Sequence, residues 1–220
     1  MDWPLLASLG DADRKRFISL ARRRRFARGE VVFHEGDPGN TLHLVEKGHF
    51  AVRITTPLGD VGTLRIHGPG GFFGELAVIS PAPRSATVSA VDKAETLSLT
   101  DVAIAELRAQ SPAVDRVLLE AMVGEVRRLS GALVEALYVP VNTRVVRRLI
   151  DLTGTFSSPG AAAGDPVSIP ITQEELAQLA GTTRPTANRV LGELEERGIV
   201  AVARGRIDVI DLDALAHRGR

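Results

Sequence analysis

Residues 172–194 read TQEELAQLAGTTRPTANRVLGEL, and this run predicts two helices joined by a short turn. Thr172 and Glu175 form a capping-box pattern, in which each side chain can accept a hydrogen bond from a backbone N–H of the other residue. The helix that they open ends at Gly181, and a threonine cap just after this glycine begins a second helix. Helix, glycine-containing turn and helix in this order predict a helix-turn-helix.

Two apolar, β-branched runs follow this motif, at residues 199–202 and 207–210. Gly205 and its neighbouring arginines lie between them, as expected for a turn. The two runs therefore predict a two-stranded wing beside the helix-turn-helix.

The polar side of the second helix carries Arg184, Asn188 and Arg189. Arginine can bind guanine O6 and N7 with two hydrogen bonds, and asparagine can bind adenine N6 and N7 in the same way. An ordinary solvated helix face is the alternative, and the cap, the partner helix and the wing in register favour DNA. The candidate DNA-binding residues are Thr172, Gln173, Thr183, Arg184, Pro185, Thr186, Asn188 and Arg189.

The net charge of the chain gives this interpretation no support. Lysine and arginine total 27, as do aspartate and glutamate, and the balance is 17 to 17 before Val141 and 10 to 10 from there on. A DNA-binding domain is often strongly basic. The nucleic-acid prediction therefore depends on where the arginines lie.

Composition and motifs exclude several other classes of protein. The absence of cysteine excludes disulfides and cysteine-ligated iron–sulfur clusters, and it is compatible with a cytoplasmic location. We expect neither a signal peptide nor a membrane span, because no apolar run approaches about 18 residues. We expect no metal site and no enzymatic activity, because the histidines at positions 34, 43, 49 and 67 form no close pair.

The N-terminal half predicts short helices followed by an antiparallel β-roll or barrel. One or two helices are expected between Leu5 and Ala27, with the four arginines at residues 22–25 forming a solvated helix end. Short apolar runs cut by glycine-rich turns then predict strands. These runs are residues 31–33, 42–45, 50–54, 63–66, 86–90 and 96–99.

A long helix is predicted from Ser111-Pro112 to Tyr138, because proline is favoured at the first position of a helix. Its apolar residues recur every three or four positions, which favours a two-stranded coiled coil, and hence a homodimer, over burial against its own β-roll. The stripe consists of Val114, Leu118, Met122, Val126, Leu129, Leu133 and Leu137.

A candidate anion site lies within the β-roll, where Gly74-Glu75-Leu76-Ala77 precedes Pro83-Arg84-Ser85-Ala86. The apolar run that begins at Leu76 predicts a helical turn, whose first N–H groups can bind an anion. Arg84 adds a charge that stays protonated, and Ser85 adds a hydroxyl. An ion pair between Glu75 and Arg84 is an equally good interpretation of the residues alone.

Nearly the whole chain resembles the cyclic AMP receptor protein (CRP/FNR) family of bacterial transcription regulators. Residues 74–77 and 83–87 look like its phosphate-binding cassette, and residues 172–194 look like its helix-turn-helix. The resemblance implies an α+β chain with an N-terminal antiparallel β-roll of the cyclic-nucleotide-binding type, a long dimerisation helix and a C-terminal winged helix-turn-helix. The corresponding boundaries are 1–110, 111–139 and 140–220.

The resemblance also implies roles for residues in a ligand site. Arg84 and Ser85 would hold a cyclic phosphate, Glu75 would bind the ribose 2′-hydroxyl, and Gly74 would contribute a backbone contact. Leu76 completes the cassette. Family members that use cyclic AMP contact adenine through a Thr-Ser pair on the long helix. Alignment backward from Arg144 places Leu129 and Ser130 at this pair, whereas alignment on Arg127-Arg128 shifts it by three residues.

The implied effector is cyclic AMP or a related cyclic nucleotide that reorients the DNA-binding domains of a homodimer. The implied partners are pseudo-palindromic double-stranded DNA and RNA polymerase. This sequence departs from the family at Pro185, where a glutamate commonly accepts a hydrogen bond from cytosine. A ligand-independent DNA-binding regulator with a vestigial nucleotide cassette is the alternative.

Overall fold

The computed structural model of the chain describes residues 3–56, 59–157, 160 and 164–219. The chain divides into two compact units. The first comprises Met1–Thr55 and His67–Ser130, and the second comprises Thr56–Ile66 and Gly131–Arg220. The predicted α+β class and order of elements are confirmed.

The N-terminal half contains a β-roll preceded by helices. A 3-10 turn, Pro4–Leu6, and helix α1, Asp11–Leu20, come first. Antiparallel pairing runs through two four-stranded sheets, with orders β1-β8-β3-β6 and β2-β7-β4-β5. The strands are β1 Arg22–Phe26, β2 Val31–Phe33, β3 Thr41–Lys47, β4 Phe50–Thr55, β5 Val61–His67, β6 Phe72–Phe73, β7 Thr87–Ala90 and β8 Ala94–Thr100. Helix α2, Glu75–Ile79, lies between β6 and β7.

The four arginines at residues 22–25 form most of strand β1, so the predicted helix end is wrong. Helix α1 stops at Leu20, and β1 pairs with β8 at the edge of its sheet. Arg23 bonds Glu46 and Arg25 lies near Glu95, so acidic side chains of the neighbouring strands balance this basic edge. The four consecutive arginines alone predicted a helix end. Pairing with β8 and ion pairs with residues distant in sequence instead favour a strand.

Two helices follow the roll. Helix α3, Asp101–Gln110, begins at Thr100, whose hydroxyl accepts a hydrogen bond from the N–H of Ala103. Helix α4, Pro112–Tyr138, has the predicted bounds. We expected the whole apolar stripe of α4 to pack in a coiled coil. This is wrong for its start, because Val114 and Leu118 are buried in the core of the N-terminal unit together with Leu42 and Leu99.

The rest of α4 presents an apolar surface to solvent. Its exposed large apolar residues are Leu119, Val123, Val126, Leu129, Leu133, Val134, Leu137 and Tyr138. A contiguous exposed apolar face of this length is typical of a protein–protein contact. The homodimer stays a prediction, now based on this shorter face.

The C-terminal half is a winged helix-turn-helix. Its helices are α5 Val141–Phe156, α6 Gln173–Leu179, α7 Arg184–Glu195 and α8 Leu212–Arg218. Its strands are β9 Val167–Ile169, β10 Val200–Ala203 and β11 Arg206–Val209, in the order β10-β11-β9. The helix-turn-helix and the wing are confirmed, and β9 and α8 are additional.

The turn between α6 and α7 depends on Gly181, which has a φ of 61°. Glycine adopts this left-handed conformation without steric cost. The capping box at the start of α6 is complete. The Thr172 hydroxyl accepts from the Glu175 N–H at 3.1 Å, and the Thr172 N–H donates to the Glu175 carboxylate at 2.8 Å.

Removing this cap tests its contribution to stability. Thr172→Ala leaves the Glu175 N–H without its acceptor, and we expect it to lower the free energy of unfolding by about 1 kcal/mol. Urea denaturation followed by circular dichroism measures the change. Thr172→Ser should retain most of the stability, and equal midpoints for Thr172→Ala and the wild type would contradict the assignment.

Candidate functional site

Arg84 occupies the segment that leads from α2 into β7, and its backbone is held by a neighbouring loop. Its N–H donates to the carbonyl of Asp37 at 2.8 Å, and its own carbonyl accepts from the N–H of Gly36 at 2.9 Å. The residue is only 5% exposed. An arginine buried to this extent needs acceptors for its N–H groups.

Thr41 and Gly74 provide those acceptors. Nη1 of Arg84 donates to the Thr41 carbonyl at 2.9 Å and to the Gly74 carbonyl at 3.1 Å. Nη2 donates to the Thr41 hydroxyl at 2.7 Å. The guanidinium also lies over the ring of Phe33, with 3.9 Å between Cζ and the ring centroid. Four contacts therefore set its orientation.

Glycine is required at position 74 for two reasons. The residue has a φ of 85° and precedes the first turn of α2. A Cβ there would lie 2.6 Å from the Thr41 carbonyl oxygen and 2.7 Å from Nη1 of Arg84. A larger residue would therefore displace the guanidinium from its acceptors.

The contacts to Thr41 and Gly74 leave two N–H groups of the guanidinium without an acceptor. Of its five N–H groups, Nε–H and one N–H of Nη2 remain, and Nε and Nη2 share one edge of the planar group. Nε is buried and has no hydrogen-bond partner among the described residues. A buried donor without an acceptor costs about 1–3 kcal/mol. Two parallel donors match two oxygens of a phosphate.

The charge of Arg84 is opposed by burial and supported by two carboxylates. Burial lowers the pKa of its guanidinium, while the negative charges of Glu75 and Asp37 act in the opposite direction. Among the described residues, no carboxylate accepts a hydrogen bond from Arg84. The geometry therefore does not favour the simple ion pair between Glu75 and Arg84.

The other predicted ligand residues lie at different places. Gly74 contacts Arg84 directly, and Glu75 and Leu76 begin α2, half-buried and exposed respectively. Ser85 is exposed next to Arg84, and Ser130 is exposed on α4.

Sequence reasoning missed two partners of Arg84, Thr41 and Phe33, and it missed His43, which bonds Thr41. Strand β3 begins at Thr41, one residue before the predicted run, and Thr41 and His43 lie two positions apart on it, so their side chains point to the same face. That alternation of polar residues in an apolar run was the available signal.

His43 is fully buried and bonded at both ring nitrogens. Nε2 lies 3.2 Å from the Thr41 hydroxyl, and Nδ1 lies 3.1 Å from the Thr96 hydroxyl. The ring stacks on Phe73 with 5.0 Å between centroids. Burial lowers the pKa of His43 to about 3, and the positive charges of Arg24 and Arg84 act in the same direction. The imidazole is therefore neutral at physiological pH.

The candidate DNA-binding face is formed by α7. Ala187, Val190, Leu191 and Leu194 are buried, and the opposite side carries exposed Arg184, Pro185, Asn188 and Arg189. Among the described residues, the side chains of Arg184 and Asn188 have no hydrogen-bond or ion-pair partner. Both are therefore available to an external ligand.

Arg189 and the threonines of this face already have partners. Arg189 donates to Glu193 at 2.8 Å and to the side-chain oxygen of Asn142 at 2.7 Å. The hydroxyls of Thr183 and Thr186 lie 3.1 Å apart. The Thr172 hydroxyl is engaged in the cap of α6, and Gln173 is the first residue of that helix.

The described residues contain no group of three or more His, Asp or Glu arranged to hold a metal ion. None of the helices in the described part of the chain is long and apolar enough to cross a membrane.

The burial of neutral His43 predicts a pH-dependent stability. The unfolded chain binds a proton near pH 6.5 that the native protein excludes down to about pH 3. The stabilising contribution of His43 is therefore complete above pH 6.5 and is lost as the pH falls towards 3, by up to about 1.4 kcal/mol per pH unit.

His43→Phe keeps the aromatic ring and removes the titration. Between pH 6.5 and 4.5, its free energy of unfolding should fall less steeply than that of the wild type. Urea titrations at several pH values measure both slopes. Parallel curves for the two proteins would show that His43 does not titrate in this way.

Comparisons with known proteins match both halves of the chain. The model for the cyclic nucleotide-binding domain matches residues 23–111, and the model for the Crp-like helix-turn-helix domain matches residues 143–218. The CRP-like cAMP-activated global transcriptional regulator of Mycobacterium tuberculosis is 31% identical over 195 residues, which cover 89% of this chain and 87% of the relative.

A relative and a solved structure from Thermus thermophilus are similar over nearly the whole chain. The cyclic AMP receptor protein is 31% identical over 206 residues, which cover 94% of this chain and 92% of the relative. The crystal structure of the catabolite activator protein is 30% identical, with a TM-score of 0.57 and 98% of each chain covered. The chain therefore belongs to the family of CRP-like DNA-binding transcription regulators, which are not enzymes, and combines a cyclic nucleotide-binding domain with a Crp-like helix-turn-helix domain.

Proposed function

We propose that the chain is a homodimeric regulator whose affinity for DNA is controlled by a cyclic nucleotide, with cyclic AMP as the first choice. The observation that carries this proposal is the Nε–H of Arg84, which is buried without an acceptor among the described residues. One N–H of Nη2 is also left over by the contacts to Thr41 and Gly74. Two phosphate oxygens would satisfy both donors and neutralise the buried charge.

The neighbouring residues complete the proposed ligand site. Ser85 would donate its hydroxyl to the same phosphate, and the Glu75 carboxylate would accept from the ribose 2′-hydroxyl. Gly74 would offer backbone contacts, Leu76 an apolar surface, and Ser130 a polar contact to the base. Glu75 and Arg84 would then bind neighbouring parts of one ligand.

Cyclic AMP is preferred because the names of two relatives refer to it. The base contact departs from the family pattern, because Leu129 lies before Ser130 where a threonine is expected. A leucine cannot bond the adenine edge, so base selectivity has to come from Ser130 and the shape of the site.

The proposed DNA contacts come from α7 and its surroundings. Arg184 and Asn188 would read base edges, and Arg189 would do so after exchanging Glu193 or Asn142 for a base. Thr183 and Thr186, with Thr172 and Gln173 at the start of α6, would contact the phosphate backbone.

Dimerisation is proposed through the exposed apolar face of α4. A two-fold dimer predicts a pseudo-palindromic site with half-sites roughly 34 Å apart. Ligand binding would favour one arrangement of α4, and thereby one spacing of the two α7 helices. Such a regulator would act in the cytoplasm and contact RNA polymerase at promoters.

Replacing Arg84 tests the ligand site directly. Arg84→Lys keeps the positive charge but loses the two parallel donors, so we expect cyclic AMP to bind at least about tenfold more weakly. Isothermal titration calorimetry with cyclic AMP and cyclic GMP measures the affinities. Arg25→Lys, at an exposed position on β1, is the matched control and should bind as the wild type does. If wild-type protein gives no heat and no thermal shift with either nucleotide, the cassette is vestigial.

Replacements on α7 test the proposed base contacts. Arg184→Ala should cost about 1–3 kcal/mol of DNA binding and relax the preference at one base position. Pro185→Glu restores a carboxylate and should sharpen discrimination at the neighbouring pair, because proline cannot accept a bond from cytosine. Site selection with randomised duplexes measures both, with Arg108→Ala as a control remote from α7 in sequence. A loss for Arg184→Ala that is uniform over all sequences would identify only a phosphate contact.

A further inference from the structure

A continuous line of hydrogen bonds leads from Arg84 into the core of the β-roll. It passes from Nη2 of Arg84 to the Thr41 hydroxyl, from there to His43, and from His43 to the Thr96 hydroxyl. We propose that His43 is a positioning residue for the phosphate site: acting through Thr41, it fixes the orientation in which Arg84 would present Nε and Nη2 to the ligand. This inference rests on the proposed binding of a cyclic nucleotide by Arg84.

Arginine can only donate, so the Thr41 hydroxyl oxygen accepts from Arg84, and its own hydrogen is available for Nε2 of His43. We infer the arrangement in which all bonds run the same way, with the ring proton on Nδ1 donated to the Thr96 hydroxyl. Hydrogen bonds that run in one direction polarise and strengthen one another in a medium of low dielectric constant. A neutral imidazole with its proton on Nδ1 is the form that completes the line.

The imidazole is immobilised by its surroundings. His43 and Thr96 are both 0% exposed. The His43 ring is nearly parallel to Phe73, with 8° between their planes, and is also close to Phe26 and Phe33. Because the His43 ring is packed on several sides, it cannot move with the Thr41 hydroxyl. The ring therefore serves as a fixed hydrogen-bond acceptor for that hydroxyl.

Phe33 provides a second connection between His43 and Arg84. Its ring centroid lies 6.2 Å from that of His43 and 3.9 Å from Cζ of Arg84. A change in the His43 ring would therefore disturb two contacts of Arg84: the hydrogen bond to the Thr41 hydroxyl and the packing of the guanidinium over Phe33.

An apolar ring would fill the position of His43 and would avoid burying polar nitrogens. Without the ring nitrogens, the Thr41 hydroxyl is free to rotate, and the geometry of its bond to Nη2 is no longer fixed. The Arg84 guanidinium is a cation close to His43, and its charge favours the neutral imidazole that the line requires. Filling the core therefore does not by itself account for a histidine at position 43, whereas orienting Arg84 does.

The test is a double-mutant cycle in the full-length protein with cyclic AMP as the probe. His43→Phe keeps an aromatic ring and removes both nitrogens, while Thr41→Val removes only the connecting hydroxyl. Each should weaken binding by roughly five- to tenfold in calorimetry, and the double variant should be no weaker than the weaker single variant. Multiplicative losses would mean that His43 does not act through Thr41, and would overturn the proposal.

Conservative replacements and a spectroscopic signature separate positioning from folding. Thr41→Ser and His43→Gln keep a bonding group and should bind within about twofold of the wild type. Ser98→Ala, which removes a hydroxyl two residues along β8 that bonds Arg22, is the control. In ligand-free protein, the Nε–H resonance of Arg84, identified by its loss in Arg84→Lys, should be sharp in the wild type and broadened in His43→Phe. Melting temperatures confirm that each variant is folded.

The outcomes separate the two proposals. If wild-type protein binds cyclic AMP and His43→Phe binds it equally well, the positioning role is overturned and the ligand site stands. If folded wild-type protein binds no cyclic nucleotide at all, the ligand site fails and the positioning role fails with it.

Discussion

A guanidinium removed from water must find acceptors, and the β-roll is organised around supplying them to Arg84. Strand β3 brings the carbonyl and hydroxyl of Thr41, and the turn before α2 brings the carbonyl of Gly74. The left-handed turn at Gly74 and the stacked Phe33 follow from the same requirement. These contacts leave Nε without an acceptor among the described residues, and an anionic ligand with two oxygens, as we propose, would satisfy it together with Nη2.

In the proposed function, binding of a nucleotide at Arg84 would influence α7. Helix α4 runs without a break from the core of the N-terminal unit, where Val114 and Leu118 are buried, to Tyr138. In this proposal, the exposed apolar face of α4 would form the dimer, and the side chains of Arg184 and Asn188 would read the DNA. A ligand can shift this assembly only by the difference in its affinity for the two arrangements.

The features that could be predicted from the sequence are those with local causes. The Thr172–Glu175 cap and Pro112 lie within one turn of the helix ends that they determine, so the starts of α6 and α4 follow from them. Strand β1 and the burial of Leu118 depend on partners far along the chain, and local charge and periodicity gave the wrong expectation. The line from Arg84 to Thr96 also joins distant strands, and only the alternation of Thr41 and His43 hinted at it.

The most direct test of the account is the affinity of the dimer for a selected pseudo-palindromic duplex, measured by fluorescence anisotropy at one fixed salt concentration with and without saturating cyclic AMP. The account predicts a change in Kd of about 5- to 150-fold, an equal change in nucleotide affinity when DNA is bound, and loss of both changes in Arg84→Lys. Identical DNA affinities in the presence and absence of a nucleotide that demonstrably binds would contradict it.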